Sequence, residues 1–306
     1  MVPSDLLQCQ DILATYYPSK MTEITGKTQL LGIIGHPVEH SLSPVMQNAA
    51  IASLEVDAIY VPFPVNPQQL KDAIAGFEAI GVLGFNATIP HKQAIIEFLS
   101  DIDPAAAAIG AVNTVLRIPS GWYGTNTDVM GFIAPLRKLQ RDWSQIVPVV
   151  LGNGGAARAV VAGCVQLGCP QIAIVGRNEN KLTQFKQSWQ NTPFAEAITL
   201  HSWDKLPALL PTTQLLVNTT PIGMSPHDTA TPVESTLLAT LPDDAIAYDL
   251  IYTPRPTQFL HLAQQQGKTI IDGTEMLVQQ GAAALQLWLQ QPVPDKIMRQ
   301  ALLNAL

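Results

Sequence analysis

Charge is scarce in this chain: only 13% of its 306 residues are Asp, Glu, Lys or Arg, and the formal net charge is −7. No block of basic residues occurs, so nucleic acid and anionic membrane surfaces are poor partners. Cysteine is also sparse. Cys9, Cys164 and Cys169 are odd in number and form no Cys-x-x-Cys pair, which suits a reducing cytosol and supplies no metal framework. His36 and His40 are near in sequence, but Gly35 and Pro37 argue against a helix joining them, so no metal is expected. No apolar run is long enough to span a bilayer, and the N-terminus lacks the charged and apolar regions of a signal peptide. A cytoplasmic protein is expected. Apolar residues, by contrast, make up 47%. That is enough for sizeable cores and too much for disorder, and the length suggests roughly two domains.

The stretch Gly84-Phe85-Asn86-Ala87-Thr88-Ile89-Pro90-His91-Lys92 reads as a strand end passing into a helix. Pro90 suits the first helical turn, and residues 91–99 continue with apolar side chains at helical spacing. Polar groups at the carboxyl end of a strand are where α/β folds place ligands. A cation in the first turn opposes the helix macrodipole and needs another reason to be there. Lys92 is therefore a candidate for chemistry, against the alternative of an ordinary surface lysine.

Residues 1–27 carry little pattern beyond a possible helix over 5–17 and a second methionine, Met21. From residue 29 strands and helices alternate, as in an α/β domain. A strand at 30–34 leads through His40-Ser41-Leu42-Ser43-Pro44 into a helix reaching residue 56, with Ser43 as its N-cap. Ser41 and Ser43 then stand beside free backbone donors, which favours an anion or simple capping. A strand at 59–65, a helix from Pro67 to residue 80 stopped by Gly81, and a short helix at 105–108 follow. A strand at 110–116 turns at Pro119-Ser120-Gly121 into 122–128, and a helix at 130–139 bridges to the second region.

The second region opens with the apolar run 147–151, followed at once by Gly152-Asn153-Gly154-Gly155-Ala156-Ala157 and a helix to residue 167 stopped by Gly168. This is G-x-G-x-x-A after a strand and opening a helix, the context that makes the pattern informative. With the next strand at 172–175 it predicts a dinucleotide whose pyrophosphate sits at the helix N-terminus. The acidic residue that would hold the ribose of NAD is missing. Gly176-Arg177-Asn178 stands there instead, so the reading is NADP, with Arg177 on the 2′-phosphate or else merely exposed. Strands at 197–200, 215–218, 245–250 and 269–271 and a helix at 257–266 complete the set. Two helices, 275–290 and 295–303, should pack back on the first domain.

These residues resemble the shikimate dehydrogenase family. The likeness runs from about residue 30 to residue 288 and is carried, in the family's order, by stretches 40–44, 86–92, 110–114, 124–128, 152–157, 218–224, 248–254 and 276–280. Ala87 stands where valine is usual, and Gly176 where asparagine often precedes the arginine. The resemblance implies an α/β fold of two domains: residues 1–129 binding substrate, completed by 274–306, and a doubly wound Rossmann domain over 130–273. It implies reversible reduction of 3-dehydroshikimate by NADPH, in chorismate biosynthesis. Lys92 and Asp128 would be the catalytic pair, and Ser41, Ser43, Asn86, Thr88, Asn113, Tyr252 and Gln280 would join them in binding the small-molecule substrate. NADP would meet Gly152, Asn153, Gly154, Gly155, Ala156, Ala157, Gly176, Arg177, Asn178, Lys181, Thr219, Pro221, Gly223, Met224, Ile251, Gly273 and Met276. Other readings are a quinate or dual-substrate dehydrogenase, a folate-linked dehydrogenase of related plan, and a non-catalytic sensor on the same scaffold. The sequence leaves assembly open, a homodimer being one option.

Overall fold

The structure, a computed structural model, describes residues 24–306. The expected helix over 5–17, Cys9 and Met21 lie outside the described residues. Strand β1 (Gln29–Gly35) is followed by α1 (Ser43–Ser53), which returns the chain to β2 (Ala58–Pro64), parallel to β1. Helix α2 (Leu70–Ala79) leads to β3 (Gly84–Ala87), paired in parallel with the other edge of β1. Next come α3 (His91–Ala94), β4 (Asp101–Ile102), α4 (Pro104–Ile109) and the antiparallel hairpin of β5 (Thr114–Ile118) and β6 (Gly121–Thr125). The sheet order is β2-β1-β3-β5-β6-β4. Because β2 and β3 leave β1 on opposite sides, the loops after β1 and β3 flank one crevice at the carboxyl ends, the usual ligand position in α/β sheets.

Helix α5 (Asp128–Arg137) carries the chain to the second sheet. There β7 (Val149–Leu151), α6 (Gly155–Leu167), β8 (Ile172–Gly176), α7 (Glu179–Gln187), β9 (Ile198–Ser202), α8 (Leu206–Leu209), β10 (Leu215–Asn218), α9 (Ser235–Leu238), β11 (Ile246–Asp249), α10 (Gln258–Gln265) and β12 (Thr269–Ile271) follow one another. All its pairings are parallel, in the order β12-β11-β10-β7-β8-β9, the doubly wound dinucleotide-binding order. Successive strand residues face opposite sides of a sheet. Val150, Leu215 and Val217 accordingly join one core cluster, and Val149, Leu151 and Leu216 the other.

Helices α11 (Thr274–Leu289) and α12 (Asp295–Ala305) have no sheet of their own. Val278, Leu285, Trp288, Met298 and Leu302 pack with Leu31, Ile33 and Met46 of the first half, as the sequence predicts. The Trp288 indole donates to the Val115 carbonyl at 2.9 Å and fills the space that a side chain at position 84 would need.

Several local expectations give way. Leu42, not Ser43, is the N-cap of α1, and the helix stops at Ser53. The helix expected over 91–99 divides into four residues of α-helix and a 3₁₀ turn, Ile95–Phe98, with Pro90 outside it at the N-cap. So short a helix has little macrodipole, which weakens the objection to a cation there. Helix α5 begins at Asp128 and carries Pro135 inside it. Helix α7 had no signal in the sequence beyond Leu182 and Phe185, its two buried residues in an otherwise polar run, and the Asn178 side chain caps it by accepting from the Lys181 amide. Among the described residues no helix is long and apolar enough to cross a membrane, and no group of His, Cys, Asp and Glu could hold a metal ion.

Candidate active site

Lys92 and Asp128 come from different elements, α3 and the first turn of α5, and meet with Nζ to Oδ2 at 2.6 Å. Their side chains keep 17% and 7% of their exposure, so the pair is largely but not wholly withdrawn from water. The carboxylate is held from behind. Its Oδ1 accepts from Asn113 Nδ2 at 2.9 Å, and its backbone N–H donates to the Asn126 side chain. Asn113, just before β5, also reaches Thr127 Oγ1 and Gln280 Oε1 through the same amide nitrogen and accepts the Thr127 N–H at 2.7 Å. Asn86, at the end of β3, gives its amide hydrogens to the Asn113 carbonyl and Thr114 hydroxyl, while Tyr60 donates to its oxygen at 2.7 Å. Burial holds the Tyr60 phenol well above its ordinary value, so it stays a donor. A polar network of this density inside a fold is stable only because its members are paired.

The crevice has a second polar corner. Ser41 Oγ accepts the Ser43 N–H at 3.3 Å at the start of α1. Ser43 is buried and Ser41 half-buried. Burial raises the Tyr252 phenol, while the Leu42 N–H beside it draws it down, which places that ring on the same corner. The Ile34 carbonyl accepts the Thr88 amide, and the Ile89 carbonyl accepts the His36 amide, so the loop carrying Lys92 is stitched to the loop carrying the serines. His91, beside Lys92, is turned away: its ring bonds the Val65 carbonyl, and burial lowers its pKa.

Across from Lys92 lies the N-terminus of α6. Gly154 is its N-cap and no side chain caps it, so its first amides are available to an anion. Gly152 has φ of +104°, and a side chain there would lie 2.7 Å from the Thr219 hydroxyl. A methyl group added at Gly155 would lie 3.8 Å from Lys92 Cδ. The nucleotide-type loop therefore abuts the lysine.

Residues 33–115 match the shikimate dehydrogenase substrate binding domain, and residues 273–303 the shikimate 5′-dehydrogenase C-terminal domain. A relative from Crocosphaera subtropica, a shikimate dehydrogenase (NADP(+)), is 62% identical over 94% of this chain and 99% of its own. The chain belongs to the shikimate dehydrogenase family. Solved structures agree with this. The shikimate dehydrogenase of Aquifex aeolicus is 35% identical, with 91% of this chain and 99% of that one covered at a TM-score of 0.81. The shikimate 5-dehydrogenase of Thermus thermophilus, solved with NADP(H) and shikimate, is 30% identical, with 91% and 100% covered at a TM-score of 0.79.

The fold brings Lys92, Asp128, Asn113 and Gln280 together, with Asn86 behind them. Ser41, Ser43 and Tyr252 form the neighbouring corner, and the Thr88 side chain stands against Gly35 at the end of β1. On the nucleotide side, Thr219 gives its hydroxyl to the Leu151 carbonyl, Gly223 has φ of +99°, and Gly273 donates to the Ile251 carbonyl. Met224 and Pro221 are exposed, as are Arg177, Asn178 and Lys181, whereas Met276 lies in the core. Sequence reasoning missed Tyr60, Thr114, Thr127 and Asn126 as supports of the catalytic pair. Thr114, Asn126 and Thr127 lie inside stretches already singled out. Tyr60 sits in an apolar strand with no local signal.

Proposed function

We propose that this chain is an NADP-dependent enzyme that reversibly reduces 3-dehydroshikimate to shikimate in the cytoplasm. The observation that carries the reading is the Lys92–Asp128 pair, buried in one network with Asn113 and Gln280 and facing the Gly152–Gly155 loop. Residues 1–129, completed by 274–306, hold the substrate; residues 130–273 hold the cofactor. The free thiols of Cys164 and Cys169 are in keeping with a reducing compartment.

The residues fit the cofactor. The amides of α6 are uncapped, Gly152 leaves no side chain between the loop and the β10 turn, and Arg177 stands where a carboxylate would reject a 2′-phosphate. When bound, NADPH supplies the hydride. This chain's residues supply the rest. As negative charge develops on the substrate's keto oxygen, the Lys92 ammonium opposes it and delivers a proton to that oxygen. Asp128 holds the ammonium in place, and Asn113 keeps Asp128 from turning. Ser41, Ser43 and Tyr252 take the ring carboxylate; Thr88, Asn113 and Gln280 orient the hydroxyls, with Asn86 bracing Asn113 from behind. In the oxidative direction Lys92 takes the same proton back.

The test is a spectrophotometric assay of NADPH or NADH formation with shikimate and quinate, each against NADP and NAD. Shikimate with NADP should be the preferred pair. Lys92→Ala should lower kcat by roughly 10²–10⁴, with substrate KM moving much less, because an interaction of the transition state has been removed. A nearly normal kcat in that variant would sink the assignment, and preference for quinate would move the enzyme to the dual-substrate reading.

A further inference from the structure

Arg177 follows β8 directly, and β8 pairs in parallel with β9 in a register that sets Gly176 opposite Ser202. The next residues, Arg177 and Trp203, therefore leave the sheet side by side. The Arg177 guanidinium carbon stands 4.8 Å from the centroid of the Trp203 ring. Among the described residues Arg177 has no ion pair with a carboxylate. Glu179, two residues on, makes no ion pair with it, and Asp204, beside Trp203, is engaged by the Ser202 hydroxyl, which holds its carboxyl low, and lies 3.5 Å from Lys205. Trp203 itself is half-buried against the core between the second sheet and α8. The guanidinium carbon thus stands over a ring anchored in the fold, while Arg177 as a whole remains exposed.

That arrangement is unlike an ordinary surface arginine, which loses rotamer freedom whenever it grips a ligand. A guanidinium held over an aromatic ring has less rotamer freedom left to lose, and its fork is the shape that takes a phosphate by two parallel bonds. We propose that Trp203 is a positioning residue for cofactor choice: its ring fixes Arg177 at the end of β8 with its donor edge presented to the 2′-phosphate of NADP. The inference rests on the NADP reading above and extends it by one residue. Trp203 touches Arg177, not the reacting atoms, so its effect belongs to affinity for the 2′-phosphate and not to turnover.

The experiment is calorimetric titration of the full chain with adenosine 2′,5′-bisphosphate and with 5′-AMP, which differ at the phosphate in question. Three variants are compared with the wild type. Trp203→Ala removes the ring, Trp203→Leu keeps apolar packing without a π face, and Trp203→Phe restores one. A cation–π contact at an exposed site corresponds to about two- to fivefold in affinity. The bisphosphate should therefore weaken by that factor in Trp203→Ala and Trp203→Leu, recover in Trp203→Phe, and 5′-AMP should not change. Shikimate oxidation should show the same rise in KM for NADP with kcat at saturation unaltered. In an Arg177→Ala background, Trp203→Leu should cost nothing further. Equal losses for both nucleotides, or a full loss added in that background, would make Trp203 structural and overturn the proposal. If the wild type does not prefer the bisphosphate over 5′-AMP, the NADP reading itself fails. If it does and Trp203→Leu keeps the whole preference, only the role of Trp203 fails.

Discussion

Asp249 shows how one residue serves the site without facing it. It is fully buried at the end of β11, where it accepts from Thr257 at 2.7 Å, from Asn218 at 3.0 Å and from the Ile251 amide at 3.1 Å. These bonds fix the loop that carries Tyr252 to the Ser41 corner. Burial nevertheless dominates and pushes its carboxyl up to about 6, with Asp272 adding to the rise and the three donors opposing it. A carboxyl raised in the folded state costs stability as pH climbs from the ordinary value of 3.8 to about 6, since over that range the fold binds more protons than the unfolded chain. Asp249→Asn keeps the shape and the acceptor oxygen, and the Thr257 hydroxyl can turn to accept from the new amide. The variant's stability relative to wild type should therefore improve between pH 4 and pH 8 by about 2–3 kcal/mol, since each tenfold difference in proton affinity between folded and unfolded chain is worth about 1.4 kcal/mol. Denaturant unfolding at the two pH values checks this, and a pH-independent difference would show that Asp249 does not titrate there.

Among the elements, the C-terminal helices are fastened by a charge cluster. Glu275, in the first turn of α11, accepts from Lys138 at 2.8 Å and from Arg299 of α12 at 2.9 and 3.0 Å. Burial alone would raise Glu275, but Arg299 and Lys138 bring it down to about 2. A depressed carboxyl stabilises the fold above its ordinary value of 4.5, and that contribution is lost as pH falls toward 2. Glu275→Gln should therefore destabilise at pH 7 by about 1 kcal/mol, discounted because the pair is partly solvated, and should cost nothing near pH 2. Thermal melts across that range, with and without salt, give the answer. The packing of α11 and α12 on the first half was legible in the sequence, because two apolar helices without strands had nowhere else to go. So was the second sheet, whose continuous apolar runs and glycine loop are strong local signals. The hidden parts were those fixed by partners distant in sequence. Helix α7 owes its place to Leu182 and Phe185 meeting the core. The division of α3 follows no pattern in residues 91–99. Tyr60 matters only because the register of β1 with β2 and β3 brings it to Asn86.

At the scale of the whole molecule, the two halves must hold Lys92 and the nucleotide loop at a fixed spacing, because hydride and proton go to adjacent atoms. Helix α6 sets that spacing with two residues on one face, three apart. Gly155 lies against Lys92, and Arg158 reaches into the first half to give its Nη1 to the Ile109 carbonyl at 2.6 Å. Arg158 is buried, which lowers its pKa, and no carboxylate pairs with it among the described residues. Its charge is met in other ways. Ile109 ends α4 and Ser188, which also accepts from Arg158, is the C-cap just past α7, so the guanidinium sits at the carbonyl-rich ends of two helices. The rings of Phe185 and Trp189 lie 5.3 and 5.2 Å from its centre. Arg158→Leu would leave the Ile109 carbonyl and the Ser188 hydroxyl without that donor, at about 1.5–3 kcal/mol for a bond to a charged group. It would also free α6 to shift against Lys92, and misplacement of about 1 Å at a reacting centre can cost about 10²-fold in rate. The expected result is a lower melting temperature together with a lower kcat, by the same factor with NADP and NAD, because Arg158 bonds Ile109 and Ser188 and not Arg177. An unchanged kcat in a destabilised variant would mean that the packing of α5 between α6 and α11 sets the spacing on its own.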